Sequence, residues 1–192
     1  EKVIFQSRPG VYVTANFYLP KKRKNKCPGI LFQPGHAQNG KFSDDYQKVS
    51  RLIARGGSAV LLIDPTGQGE RSNYTEPGFS EPIVSRAVMD HQTFGAQMFL
   101  TQGSTTKYFV ADAMRAIDYL QSRPEIDSDK IGATGSSGGG TQTCVISLID
   151  DRVKAAAPGT FVSTRRDIFH QGGAQDSEQI WQGITNNGFD HQ

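Results

Sequence analysis

The chain has 192 residues, 36% of them hydrophobic and 21% charged, with a formal net charge of +2. That length and balance fit one globular domain with a core of its own. No apolar run is long enough to cross a bilayer, and so small a net charge makes no case for a nucleic-acid partner. The basic run Lys21-Lys22-Arg23-Lys24-Asn25-Lys26 reads as a solvated loop. Cys27 and Cys144 form neither a disulfide framework nor a metal-ligand spacing. The chain opens on Glu1 rather than methionine, so its compartment is not read from the N-terminus.

Lys2–Gln6 and Val11–Leu19 read as two strands joined at Arg8-Pro9-Gly10, a turn signal. Val11, Val13, Ala15 and Phe17 alternate with Tyr12, Thr14, Asn16 and Tyr18, which gives the hairpin one buried face. Gly29–Gln33 is a short apolar run suited to a strand covered on both sides. Asp44 opens a helix to Arg55, with Gln47 completing a D-x-x-Q capping box. Tyr46, Val49, Leu52 and Ile53 form its apolar stripe, and Gly56 ends it. Ser58–Ile63 is the next buried strand, and an irregular stretch runs from Asp64 to about Ile83.

Thr105–Ser122 is a second helix, with Phe109, Ala113, Ala116, Ile117 and Leu120 on one face and Pro124 as its stop. Lys130–Thr134 is a strand, Thr141–Ile149 is helix-capable, and Val153–Ala157 is one more strand, closed by Pro158-Gly159. Cys144 falls on the inner face of that last helix as a small core residue. Residues 163–192 are polar and read as loop, with a short helix near Asp176–Gln182. The order predicts an α/β fold: a mostly parallel, doubly wound sheet led by an N-terminal antiparallel hairpin.

Within this frame Gly135-Ser136-Ser137-Gly138-Gly139 is a G-x-S-x-G pattern between a strand and a helix. Such a turn is sharp, so the neighbours of the serine must be small. The hydroxyl is then lifted clear of the sheet, beside the free N–H groups that open the helix. The bland alternative is a Gly/Ser-rich loop with no chemistry. Two other strands also end in glycine-bearing loops, Gln33–Gly40 and Asp64–Arg71, at the sheet end where α/β folds place their sites. Gly67–Ser72 has the outline of a damaged G-x-G-x-x-G, but no helix opens after it. No His/Cys/Asp/Glu spacing along the chain marks a metal site, and no cofactor is expected.

The D-x-x-G-Q-G loop at Asp64–Gly69 and the G-x-S-x-G-G run at Gly135–Gly140 resemble the α/β-hydrolase superfamily. They resemble more closely its acetyl xylan esterase and cephalosporin-C deacetylase branch. Thr141-Gln142-Thr143 and Asp150–Ala157 continue the likeness. The chain departs from the branch at Thr66, where Arg is usual, and at Gly138, where Gln is usual. The resemblance implies ester hydrolysis, commonly of acetylated plant sugars, and often in a secreted or periplasmic enzyme. It implies Ser137 as nucleophile and the main-chain N–H groups of Gly138 and His36 as oxyanion hole. The expected partner is a small-molecule or oligosaccharide ester.

Other residues stay open at this point. His36 also reads as a loop histidine with a satisfied ring, and His91 reads as structural. Glu70 and Arg71 read either as pocket lining or as a local surface ion pair. In this fold the acid and histidine follow the serine, and no clear strand pair follows Val153–Ala157 to carry them. The expectation is a hydrolase domain whose C-terminal strands and helices, acid and histidine lie past Gln192, with Val153–Ala157 an unpaired edge. The rival is a self-contained site with Asp176 or Glu178 as acid and His191 as base. His170 is a weaker base, because Arg165 and Arg166 nearby would depress its pKa. A serine peptidase of the same superfamily and a catalytically silent binding protein are the competing functions.

Overall fold

Six strands form one sheet in a computed structural model that describes residues 1–22, 25–78, 81–160, 162–170 and 176–183. In chain order they are β1 (Lys2–Arg8), β2 (Val11–Tyr18), β3 (Cys27–Gln33), β4 (Ala59–Ile63), β5 (Ile126–Ser136) and β6 (Val153–Gly159). The spatial order is β1-β2-β4-β3-β5-β6. β1 pairs antiparallel with β2 and β2 antiparallel with β4. The pairs β3/β4, β3/β5 and β5/β6 are parallel, as a helical crossover between strands requires. The expected mixed sheet with its antiparallel lead is therefore what forms.

The helices are α1 (Asp44–Arg55), α2 (Val88–Leu100), α3 (Thr106–Ser122), α4 (Gly138–Ile149) and α5 (Arg165–His170). Alternation along the strands divides the core. Val13, Ala15, Phe17, Leu31, Leu61 and Ile63 pack with Ala113, Ala116, Ile117 and Leu120 of α3 and Ile146 of α4. Phe32, Val60 and Leu62 point the other way, toward Tyr46 and Ile53 of α1. All five β4 residues are buried, so this strand is covered on both faces.

Several expectations need correction. The stripe of α1 is narrower than predicted: Val49 and Leu52 are exposed, and the inner face is Tyr46, Ser50, Ile53 and Ala54. Ser43, not Asp44, is the N-cap, and the D-x-x-Q box does not form. Gln47 Nε2 donates instead to the Phe42 carbonyl at 3.0 Å. Helix α2 has no signal in the sequence pattern, because its buried positions are Asp90, His91 and Gly95 while Val88, Met89, Phe99 and Leu100 are exposed. Cys144 is half-buried rather than a core residue. Past β6, the described residues form α5 and a 3₁₀ turn at Ser177–Gln179 in place of the short helix expected near Asp176–Gln182, and the rest of the expected loop lies largely outside the described residues. β6 has β5 as its one strand partner among the described residues, and Ala155, Ala156 and Ala157 are exposed there.

Candidate active site

Ser137 sits between β5 and α4 with φ 56° and ψ −121°. A non-glycine residue in that conformation costs about 1–3 kcal/mol and persists only where its surroundings enforce it. Here the Ser137 N–H donates to the Gly159 carbonyl at 2.9 Å and to Thr160 Oγ1 at 3.0 Å. The Ser137 carbonyl receives the N–H groups of Gly140 at 2.8 Å and Thr141 at 3.1 Å. The turn is thus tied to β6 on one side and to the first turn of α4 on the other.

The loop after β3 lies directly over this turn. A methyl group on Gly35 would fall 3.0 Å from Ser137 Cβ and 2.9 Å from the Tyr46 hydroxyl, which accepts the Gly35 N–H. A methyl group on Gly138 would fall 2.7 Å from Cε1 of His36. The backbones of 35–36 and 137–138 therefore approach more closely than any side chain at Gly35 would allow. The main-chain N–H groups of His36 and Gly138 have no acceptor among the described residues.

The D-x-x-G-Q-G loop is what holds the loop above it in place. Gln68, 1% exposed, donates from one Nε2 to the carbonyls of both Gly35 and Ala37, each at 2.9 Å. The Gly35 carbonyl, which shares its peptide with the His36 N–H, and the Ala37 carbonyl beyond it are thereby held. Asp64 is fully buried and accepts the Lys41 N–H at 2.7 Å, the Thr14 hydroxyl at 2.7 Å and the Lys41 ammonium. Replacing Gln68 by alanine would remove one of two donors from each carbonyl, since Gly35 keeps the Ala37 N–H and Ala37 keeps the Gly40 N–H. Each lost bond therefore costs only about 0.5–1.5 kcal/mol, while the loop loses its tie to the glutamine. The expected result is a fall in kcat of tenfold or more with the melting temperature lowered only modestly. Steady-state kinetics beside thermal denaturation checks it.

The cluster beside the turn has no signature in the sequence. His36, His91, Asp176 and Glu178 bring one ligand atom each to within 4.8 Å of all the others. His36 Nε2 lies 2.7 Å from Asp176 Oδ2 and 3.0 Å from Glu178 Oε1. His91 Nδ1 lies 3.4 Å from Asp176 Oδ2 and 3.4 Å from Glu178 Oε2. The other nitrogen of His91, Nε2, is 2.8 Å from the Thr66 carbonyl, an acceptor that fixes it as the protonated one. Burial alone would lower both histidine pKa values, but the hydrogen bonds and charges of the two carboxylates outweigh it. They raise His36 to about 9 and His91 to about 10. Burial would raise the Asp176 carboxyl, but the two imidazoles hold it well below the usual carboxylate range.

The two acids are placed by the 176–179 turn. Asp176 caps it, accepting the Ser177 N–H at 2.7 Å. Thr106 Oγ1 at the start of α3 donates to the Glu178 carbonyl at 2.7 Å. The Ser177 hydroxyl donates to the His91 carbonyl at 2.7 Å. No spacing along the chain could have shown this group, because its members come from three distant segments.

The remaining sequence-predicted residues are placed as follows. Asp176 and Glu178 are engaged with His36 and His91. His170 is exposed on α5, and His191 lies outside the described residues. Among the described residues no histidine is hydrogen-bonded to the Ser137 hydroxyl. Glu70 and Arg71 do not pair with each other: Glu70 meets the Lys41 ammonium, and Arg71 meets Asp112 at 2.7 Å. They line a cleft with Arg8, Tyr12, Phe94 and Tyr108, and Ser137 is not part of its lining.

The His36 ring is therefore not idle, although the sequence points only to a role for its main chain. Its removal would leave Asp176 and Glu178 facing each other with His91 as the one cation. Breaking a buried ion pair in this way costs about 3–5 kcal/mol. The His36→Ala protein is expected to lose stability on that scale in urea unfolding, whereas Ser137→Ala should leave the unfolding midpoint nearly unchanged.

Comparison with known proteins identifies the family. The Bacillus subtilis (strain 168) protein named "Putative hydrolase YtaP" is 31% identical over 153 residues, which cover 73% of this chain and 45% of that protein. The chain spans less than half the length of the curated relatives it matches. Among solved structures, a Bacteroides fragilis protein described as a putative acetyl xylan esterase superposes with a TM-score of 0.80. It is 18% identical, over 100% of this chain and 54% of that one, which bears on the fold alone. A structure named "Methylesterase BT1017" is 31% identical with a TM-score of 0.58, over 78% of this chain and 29% of that one. The acetyl xylan esterase (AXE1) profile matches residues 2–177, nearly the whole described fold, and the chain belongs to that family.

Proposed function

We propose that this chain carries the nucleophile and oxyanion hole of a serine esterase acting on carboxylic esters, with acetyl or similar esters on carbohydrate as its substrate class. The observation that carries the reading is the positive φ of Ser137 at the mouth of α4. Packing alone gives no reason to hold a serine there, and the strain is accounted for if the hydroxyl must be presented to a substrate. Family membership supports ester hydrolysis. The acetyl group and the sugar come from the family's description.

In the proposed reaction Ser137 Oγ attacks the acyl carbon as a base takes its proton. The carbonyl oxygen becomes an oxyanion held by the N–H groups of Gly138 and His36. Collapse expels the alcohol, which takes up the proton, and leaves an acyl-enzyme. Water then attacks the same carbon as the base accepts its proton, and collapse breaks the Ser137 Oγ–acyl bond, with Oγ taking the proton back from the base and the carboxylic acid leaving. Each oxyanion donor of this kind is worth about a hundredfold or more in kcat.

The base is proposed to be none of the four histidines of this chain. His36 and His91 are committed to Asp176 and Glu178, so the acids of the self-contained alternative are already taken. A fluorophosphonate probe is expected to label Ser137 in the whole protein and to spare Ser137→Ala. His191→Ala is expected to keep its labelling rate and turnover. A labelling rate reduced a thousandfold by His191→Ala would instead make His191 the base. An unlabelled wild type that is folded and holds its full melting temperature would count against the esterase reading.

A further inference from the structure

We propose that His36, His91, Asp176 and Glu178 form a site for one divalent transition-metal ion, with zinc the ion that this donor set suits best. Two imidazoles and two carboxylates make a borderline-soft set, unlike the all-oxygen shells of calcium and magnesium. The four donors arrive from the loop after β3, from α2 and from the 176–179 turn, and they converge within 4.8 Å.

Three observations point to an ion rather than to a set of hydrogen bonds. First, His91 Nδ1, Asp176 Oδ2 and Glu178 Oε2 are buried and, apart from the charged contacts within this cluster, have no hydrogen-bond partner among the described residues. The side chains of His91 and Glu178 are only 1% and 2% exposed, so water does not reach them freely. Second, the spacing suits coordination. Zinc bonded at roughly 2.0–2.2 Å in a tetrahedron sets its ligands about 3.4 Å apart. His91 Nδ1 lies 3.4 Å from each carboxylate. Third, the outer contact is in place: the Thr66 carbonyl takes the Nε2 proton of His91, which leaves the Nδ1 lone pair aimed at the centre.

His36 is closer, at 2.7 and 3.0 Å, the distances of a shared imidazolium hydrogen bond, and it would draw back slightly to admit an ion. Two protons on the histidines would also balance the two carboxylates, and that is the competing arrangement. With four protein donors the site is closed, which is the pattern of a structural rather than a catalytic ion. Its effect would be to clamp the loop bearing His36 to α2 and to the 176–179 turn. The metal site itself does not depend on the esterase reading.

The test is made on the whole protein, stripped with a chelator and titrated with zinc alone. Calorimetry and elemental analysis are expected to show one tightly held equivalent, and the melting temperature is expected to rise on loading. Cobalt(II) in place of zinc should give the intense visible bands of a four-coordinate ion. Glu178→Gln and His91→Ala should each weaken binding about tenfold or more, while His170→Ala, at an exposed position, should leave it unchanged. No stoichiometric zinc in the wild type, or cobalt bands like those of the hexaaquo ion, would overturn the site and leave the proton-balanced arrangement. So would binding that survives both cluster substitutions and is lost with His170→Ala. Should the cluster variants not fold, the wild-type stoichiometry and cobalt spectrum still decide.

Discussion

Replacing Ser137 by alanine is expected to reduce ester turnover by about a thousandfold or more, because loss of a nucleophile leaves only binding and oxyanion stabilisation. The fold should survive. The hydroxyl of Ser137 makes no hydrogen bond among the described residues, and the turn is held by its main chain to Gly159, Thr160, Gly140 and Thr141. Alanine at φ 56° is as strained as serine, so the unfolding midpoint should move little. Ser136 is the internal control. It is the last residue of β5 and pairs with Gly159 through its backbone, so Ser136→Ala should keep most of the turnover. Initial rates on short nitrophenyl esters and on acetylated sugars, measured on the whole protein, check both. Turnover of Ser137→Ala within tenfold of wild type would remove the covalent mechanism.

What is legible in the sequence is local. The face of α3 is readable because Phe109, Ala113, Ala116, Ile117 and Leu120 recur at helical spacing and all are buried. The serine turn is readable because strand, glycines and helix follow one another without interruption. What is not legible depends on contacts between distant segments. In α2 the usual pattern is inverted: Asp90 and His91 are buried because Asn73, Thr66 and the 176–179 turn receive them. A reading of polar residues as outward-facing fails wherever a polar network replaces an apolar core.

The loops show the same limit from another side. The D-x-x-G-Q-G motif is visible, and so is its likeness to a family, but the work of its residues is not. Asp64 anchors Lys41 and the turn before α1, and Gln68 holds the carbonyls of Gly35 and Ala37 in the loop that bears His36. Glu70 and Arg71, which stand out in the sequence as charged pocket candidates, serve as partners to Lys41 and Asp112. Charge attracts notice in a sequence. An uncharged glutamine buried between two loops does not.

Gly139→Ala is expected to abolish folding to the native state, with a cost of at least about 4 kcal/mol, a size reached only by a few named mechanisms. The mechanism here is overlap with backbone that has nowhere to go. A methyl group on Gly139 would clash with the Gln33 carbonyl oxygen and would stand 2.7 Å from its carbon and 2.9 Å from the Pro34 carbonyl carbon. Gln33 is the last residue of β3, paired with Gly135 of β5, and the loop beyond it is pinned by Tyr46 and Gln68. Neither side can yield without breaking the sheet or withdrawing the loop that carries the proposed oxyanion donor. Gly57→Ala makes the comparison. Gly57 has φ 103°, but a methyl group there would meet nothing within 4 Å, so only backbone strain applies, about 1–2 kcal/mol. Soluble expression and urea unfolding of the two variants side by side distinguish collision from strain. If Gly139→Ala were no less stable than Gly57→Ala, the close approach of α4 to the end of β3 would be wrong, and with it the placement of His36 over the serine turn.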